Sequence, residues 1–205
     1  MKVHTLRSLA AAVAALTAGF ICGYAPLAAA DDDHRRGLIT TRLSGFNEVH
    51  FSAGPPATLR GAVSTKATGR FRAAIHDRAD TIEYELNYAG LEGTVTQSHI
   101  HFGQAHTVGG IVVWLCQTAG TPAPAAVATV TPMCPQDTLG GPVTGTIRPA
   151  QVLAQTAQGI NAGEFEELVR AIRAGATYVN VHSSLHGPGE IRGQLNDGHH
   201  DGGKH

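Results

Sequence analysis

The sequence predicts an all-β fold: a Greek-key β-sandwich or barrel of about eight or nine short strands, with one α-helix inserted at about residues 162–174. Three observations predict it. The 205 residues include 25 glycines and only 5% aromatics, which suits a turn-rich β chain better than a helical bundle. Short stretches that alternate apolar and polar residues recur between turn residues. A single stretch carries the helical period. The length fits one domain.

The strands are predicted in order at Leu38–Val49, Ala57–Ser64, Gly69–His76, Thr81–Tyr88, Thr94–Phe102, Gly110–Leu115, Val143–Ile147, Thr177–His182 and Glu190–Leu195. The third and fourth make the clearest hairpin. Phe71, Ala73 and Ile75 alternate with Arg70, Arg72 and Ala74, and Ile82, Tyr84 and Leu86 alternate with Glu83, Glu85 and Asn87. The turn between them carries Asp77 and Asp80. The helix rests on Phe165, Leu168, Val169 and Ile172, spaced i, i+3, i+4 and i+7 on one face. Asn161 and Glu164 have N-cap and N3 spacing, and Gly175 supplies the stop. Gln117–Met133, rich in Ala, Thr and Pro, reads as a long loop.

The ends have their own character. Lys2 and Arg7, an apolar run from Leu9 to Cys22 and Ala28-Ala29-Ala30 have the form of a signal peptide over residues 1–30. The apolar run is shorter than the ~20 residues that span a bilayer, so no transmembrane segment is expected after cleavage. Ile21 occupies the position where lipidation at Cys22 would want a small residue. Residues 31–37 are expected to form a flexible N-terminus, residues 38–196 the folded domain, and residues 197–205 a flexible His- and Gly-rich tail. Cleavage after Ala30 leaves 175 residues of net charge −3. That balance argues against nucleic acid as a partner, because phosphate binding needs clustered Lys and Arg. The expected location is the periplasm or the extracellular space. The mature chain keeps two cysteines, Cys116 and Cys134, which an exported protein is expected to join. Closing a loop of that size stabilises a fold by about 3 kcal/mol.

Histidine, at 12, is the over-represented residue. His99 and His101 are separated by one residue on a predicted strand, so both imidazoles project from one face. Two imidazoles on a rigid strand are half of a copper or zinc site. His182 ends a second strand and shares a face with Tyr178 and Asn180. If the strands meet, His99, His101 and His182 converge, and His106 or His186 in the following loops could supply a fourth ligand. His199, His200 and His205 lie in the tail without a scaffold. No Gly-x-Ser-x-Gly elbow, P-loop or dinucleotide fingerprint is present, and no two carboxylates pair as acid and base.

Leu43–Val49, His99–Gly103 with Gly110–Val113, and Tyr178–His182 with Gly189–Leu195 resemble the CHRD (chordin-type) domain over roughly residues 38–196. The resemblance implies a secreted, β-rich domain and hands over no activity. The order of a His-x-His strand, a late strand ending in His and a Gly-rich turn with an Arg is also similar to Cu,Zn superoxide dismutases. That similarity implies copper on His99, His101 and His182, with Arg192 near an anion-guiding position. The chain departs from that pattern in lacking a bridging histidine, a zinc cluster and a cysteine near Gln194. Three functions follow: an exported copper-binding protein; a metal-free extracellular module that binds a protein or envelope partner; and a superoxide dismutase-like enzyme. Apart from Arg192, no residue stands out as catalytic.

Overall fold

The structure, a computed structural model, describes residues 37–51 and 59–196. The expected signal peptide, the segment 31–36, and the tail with His199, His200 and His205 lie outside the described residues. Gly37, at the edge of the segment expected to be loose, is buried and accepts the Ile75 N–H at 2.8 Å.

Among the described residues ten strands form: β1 (Leu38–Ser44), β2 (His50–Phe51), β3 (Leu59–Gly61), β4 (Thr68–His76), β5 (Thr81–Ala89), β6 (Val95–Phe102), β7 (Gly110–Cys116), β8 (Val143–Ile147), β9 (Thr177–Ser183) and β10 (Ile191–Leu195). Eight of them make one antiparallel sheet in the order β7-β6-β9-β10-β1-β4-β5-β8, and β2 pairs with β3 alone. The sheet curls until its edge strands β7 and β8 approach each other. Across that gap Tyr84 Oη donates to the Leu115 carbonyl at 2.7 Å. Among the described residues the result is an all-β, nearly closed barrel with one α-helix, α1 (Phe165–Arg173), inserted before the penultimate strand.

Alternation explains the interior. Ile39, Leu43, Phe71, Ile82, Leu86, Ile100, Val113, Val179, Val181 and Ile191 fill the barrel, and Phe165, Leu168, Val169 and Ile172 of α1 join the same core. Each such side chain contributes roughly 1.5–3 kcal/mol by leaving water. The Phe71 and Tyr84 rings stack at 6.0 Å within it.

Three expectations need adjusting. The first predicted strand ends at Ser44, and Gly45–Asn47 form a 3-10 turn. A Cβ on Gly45 would lie 2.3 Å from the Val63 carbonyl oxygen, so this close backbone crossing needs glycine and ends the strand. Of the expected strand at 57–64, the described part pairs only over Leu59–Gly61. At α1 the helix starts about one turn later than expected. Glu164 holds the N-cap position, and its carboxylate accepts the Asn161 N–H and Nδ2 at 2.8 and 2.9 Å. Gly175 (φ 68°) closes the helix as expected.

The long loop is organised by one side chain. Gln117 Nε2 donates to the Ala128 and Thr131 carbonyls, both at 2.7 Å, and Oε1 accepts the Ala123 N–H. Ala123 and Val127 pack on Trp114 as a second apolar cluster outside the barrel. Cys116 and Cys134 are joined by a disulfide that closes the loop. No described helix is long and apolar enough to cross a membrane.

Candidate metal centre

Strands β6 and β9 have two buried faces. Ile100, Val179 and Val181 point into the barrel. The outer face carries His99, His101, Tyr178, Asn180 and His182, all of them buried. The cover comes from the loops that follow each strand. Gln194 Nε2 donates to Gly103, pinning the loop after β6, and the Ser184 N–H donates to Thr94, pinning the loop after β9.

The register sets the geometry. His99 lies opposite Asn180, His101 opposite Tyr178, and Gln97 opposite His182. His99 and His182 are therefore diagonal neighbours on one face. The row continues across the sheet, with Trp114 opposite His99, Arg192 opposite Asn180, and Ser44 opposite Arg192. One ring nitrogen from each of His99, His101 and His182 lies within 4.8 Å of the others.

The hydrogen bonds assign protons. His101 Nδ1 lies 3.0 Å from the Gly109 carbonyl oxygen, and His182 Nδ1 lies 2.8 Å from that of Gly187. A carbonyl can only accept, so both Nδ1 atoms carry hydrogen and both Nε2 atoms keep a lone pair. His99 Nδ1 approaches His182 Nε2 to 3.2 Å. The Nε2 atoms of His99 and His101 are buried without a hydrogen-bond partner. Asn180 Oδ1 sits 3.0 Å from His182 Nε2.

Electrostatics keep the rings neutral. His99 is held well below the ordinary histidine value, by burial first and then by its two imidazole neighbours. Burial likewise brings His101 and His182 down to about 4, against the opposing pull of their carbonyl partners.

Arg192 completes a stack. Its guanidinium carbon lies 3.3 Å from the centre of the Tyr178 ring, and Tyr178 stacks on His101 at 4.7 Å with planes 2° apart. Nη1 donates to the Thr107 carbonyl and Nη2 to that of Gln104, at 2.7 and 2.9 Å. Its side chain is 1% exposed.

The other predicted residues stand apart from the triad. His106 is exposed, at φ 63°. His186 Nε2 faces Glu92 Oε2 at 3.3 Å. Cys116 and Cys134 serve the loop beyond β7.

Two acidic residues escaped the sequence reading. Glu48, in the turn after β1, is 3% exposed. Its Oε1 accepts the Val49 N–H at 2.9 Å, and its Oε2 has no partner. Burial pushes its carboxyl up to about 7, against the Val49 N–H, the charge of Arg192 and the Asn180 side chain. A Cβ on Gly189 (φ 138°) would lie 2.4 Å from Glu48 Oε2 and 2.9 Å from Asn180 Nδ2, so glycine is required where this backbone meets the pair. Glu190, fully buried, accepts the Thr65 hydroxyl at 2.7 Å and the Glu92 N–H at 2.8 Å. The signal available for both was their place inside the Leu43–Val49 and Gly189–Leu195 segments.

A nearly closed antiparallel barrel with buried histidines on its outer wall defines a small all-β domain. The model of the CHRD domain family matches residues 39–195, and the chain belongs to that family. No curated protein and no solved structure matches it, so the superoxide dismutase likeness rests on motif order alone.

Proposed function

We propose that this is an exported CHRD-domain protein that binds one copper ion through His99, His101 and His182. The observation that carries the reading is the convergence of three neutral imidazoles whose ligand nitrogens lie within 4.8 Å of one another. The donor set fits the metal. Imidazole suits copper, and copper(II) leads the divalent series in affinity for nitrogen sites. Carbonyl partners on Nδ1 of His101 and His182 fix the tautomers, as outer-shell partners of metal-bound histidines do. Orphaned buried nitrogens, and the lone pair of Asn180 Oδ1 facing that of His182 Nε2, make a place that a cation relieves.

Bound copper would supply one-electron chemistry. The chain's own residues hold the three rings, exclude water and keep protons on Nδ1 of His101 and His182. Burial of all three rings, and the commitment of Arg192 to loop carbonyls, favour storage or delivery over rapid turnover of a small anion. Export rests on residues 1–30 as a signal peptide, and the disulfide suits an oxidising compartment.

One observation favours a metal-free recognition module instead. The His99–His182 contact at 3.2 Å is a workable hydrogen bond between neutral rings. A titration separates the readings. Residues 31–195, without the His-rich tail, are titrated with Cu²⁺ and followed by electron paramagnetic resonance and metal analysis. The His99→Ala, His101→Ala, His182→Ala variant runs alongside. One copper per chain, lost in the variant, is the expected result. Absence of binding, or binding indifferent to the variant, returns the protein to the recognition module.

A further inference from the structure

The triad is buried, so an ion needs a route. Three of its walls offer no ligand chain. Trp114 lies edge-on to His99 at 4.3 Å, Tyr178 covers His101, and Arg192 ties down the loop after β6. The fourth wall differs. There His186 is partly exposed, and its Nε2 lies 3.3 Å from Oε2 of the more exposed Glu92. The His50 ring lies 5.9 Å from that of His186. His50 Nε2 bonds the Gly189 carbonyl, so its hydrogen is there and Nδ1 keeps the lone pair. One loop, Ser184–Glu190, carries His186 together with the Gly187 and Gly189 carbonyls that orient His182 and His50.

We infer that Glu92, His186 and His50 form a loading path along which Cu²⁺ passes from solvent to the buried triad. The inference rests on the copper reading. A carboxylate paired with an imidazole at the surface captures the hydrated ion, and the next imidazole inward passes it on. Each step exchanges one ligand for another, with no change in oxidation state. A group that lowers the barrier to entry lowers the barrier to exit equally, so these residues set the rates and leave the affinity alone.

Trp114 is the chain's one tryptophan and touches His99, so its fluorescence reports copper at the triad. Stopped-flow mixing of Cu²⁺ with the mature chain, its three tail histidines replaced by alanine, gives the loading rate. The variants are His50→Ala and the surface double variant Glu92→Gln, His186→Gln, the second guarding against a folding defect in the first. The expected result is a loading rate at least about tenfold slower in either variant, with dissociation slowed in parallel and Kd within about twofold. An unchanged loading rate with full quenching overturns the path and spares the copper site. A weakened Kd at unchanged loading rate also overturns it, by placing these residues in the seat itself. A wild-type chain without saturable quenching overturns the copper reading and the path together.

Discussion

His99 Nδ1 and His182 Nε2 meet at 3.2 Å across neighbouring strands, two neutral imidazoles shut off from water. Keeping a histidine uncharged in such a place has a thermodynamic consequence, because the unfolded chain is free to protonate it.

Below pH 6.5 the unfolded, metal-free chain takes up protons on His99, His101 and His182; the folded chain refuses them until about 4 at His101 and His182, and burial likewise holds His99 well below its ordinary value. The stability these rings contribute is complete above 6.5 and is lost as pH falls through 4. Urea unfolding of the metal-free chain from pH 8 to pH 4 should show stability declining below 6.5, and the triple alanine variant should have a flatter profile. A wild-type profile that stays level from 6.5 to 4 would contradict the burial of uncharged rings.

Glu48 acts with the opposite sign. Its carboxyl binds a proton more tightly folded, at about 7, than unfolded, at 4.5. Its contribution is present below 4.5 and disappears as pH rises through 7. Glu48→Gln, neutral throughout, should exceed the wild type at pH 8 by up to about 3 kcal/mol, the free-energy equivalent of that gap. The two curves should converge towards pH 5. Equal stability at pH 8 would mean that Arg192 and Asn180 fully compensate the charge.

Arg192 is bound on three sides, by Tyr178 and by the Thr107 and Gln104 carbonyls. Arg192→Met keeps much of the volume and leaves both carbonyls without their donor. The expected loss is about 2–4 kcal/mol, with faster proteolysis in the loop after β6. Limited proteolysis beside urea melts separates the two effects, and a variant with wild-type resistance in that loop would show that other contacts hold it.

Replacing Cys116 and Cys134 by serine should lower stability by about 3 kcal/mol, since the bridge spans 18 residues of sequence. The guanidinium midpoint of the variant should match that of the reduced wild type. A variant midpoint equal to that of the oxidised protein would assign the loop's order to Gln117 instead.

Much of the barrel was legible because inward and outward residues alternate. The Phe71/Tyr84 hairpin and the His99–His101 pair follow directly from a period of two. What escaped was the cover on the outer wall. Every residue of β9 is buried, yet nothing in the sequence around Tyr178, Asn180 and His182 announces their cover, because the loops that supply it are distant in sequence or lack periodicity. Glu48 and His50 were hidden for a related reason. They sit in a turn where Gly45 cuts short an apparently continuous strand, so their positions depend on a backbone crossing with Val63 that no local pattern announces.

The pairing of β6 with β9 brings together residues 83 apart in sequence at the heart of the triad. While the chain emerges, its first 181 residues hold only the His-x-His half. A slip of one residue in β9 would bury Asn180 and His182 in the core and turn Val179 and Val181 outward. The three-imidazole cluster is therefore a property of the finished molecule, absent from nascent and misregistered chains alike, and its formation marks the completion of folding.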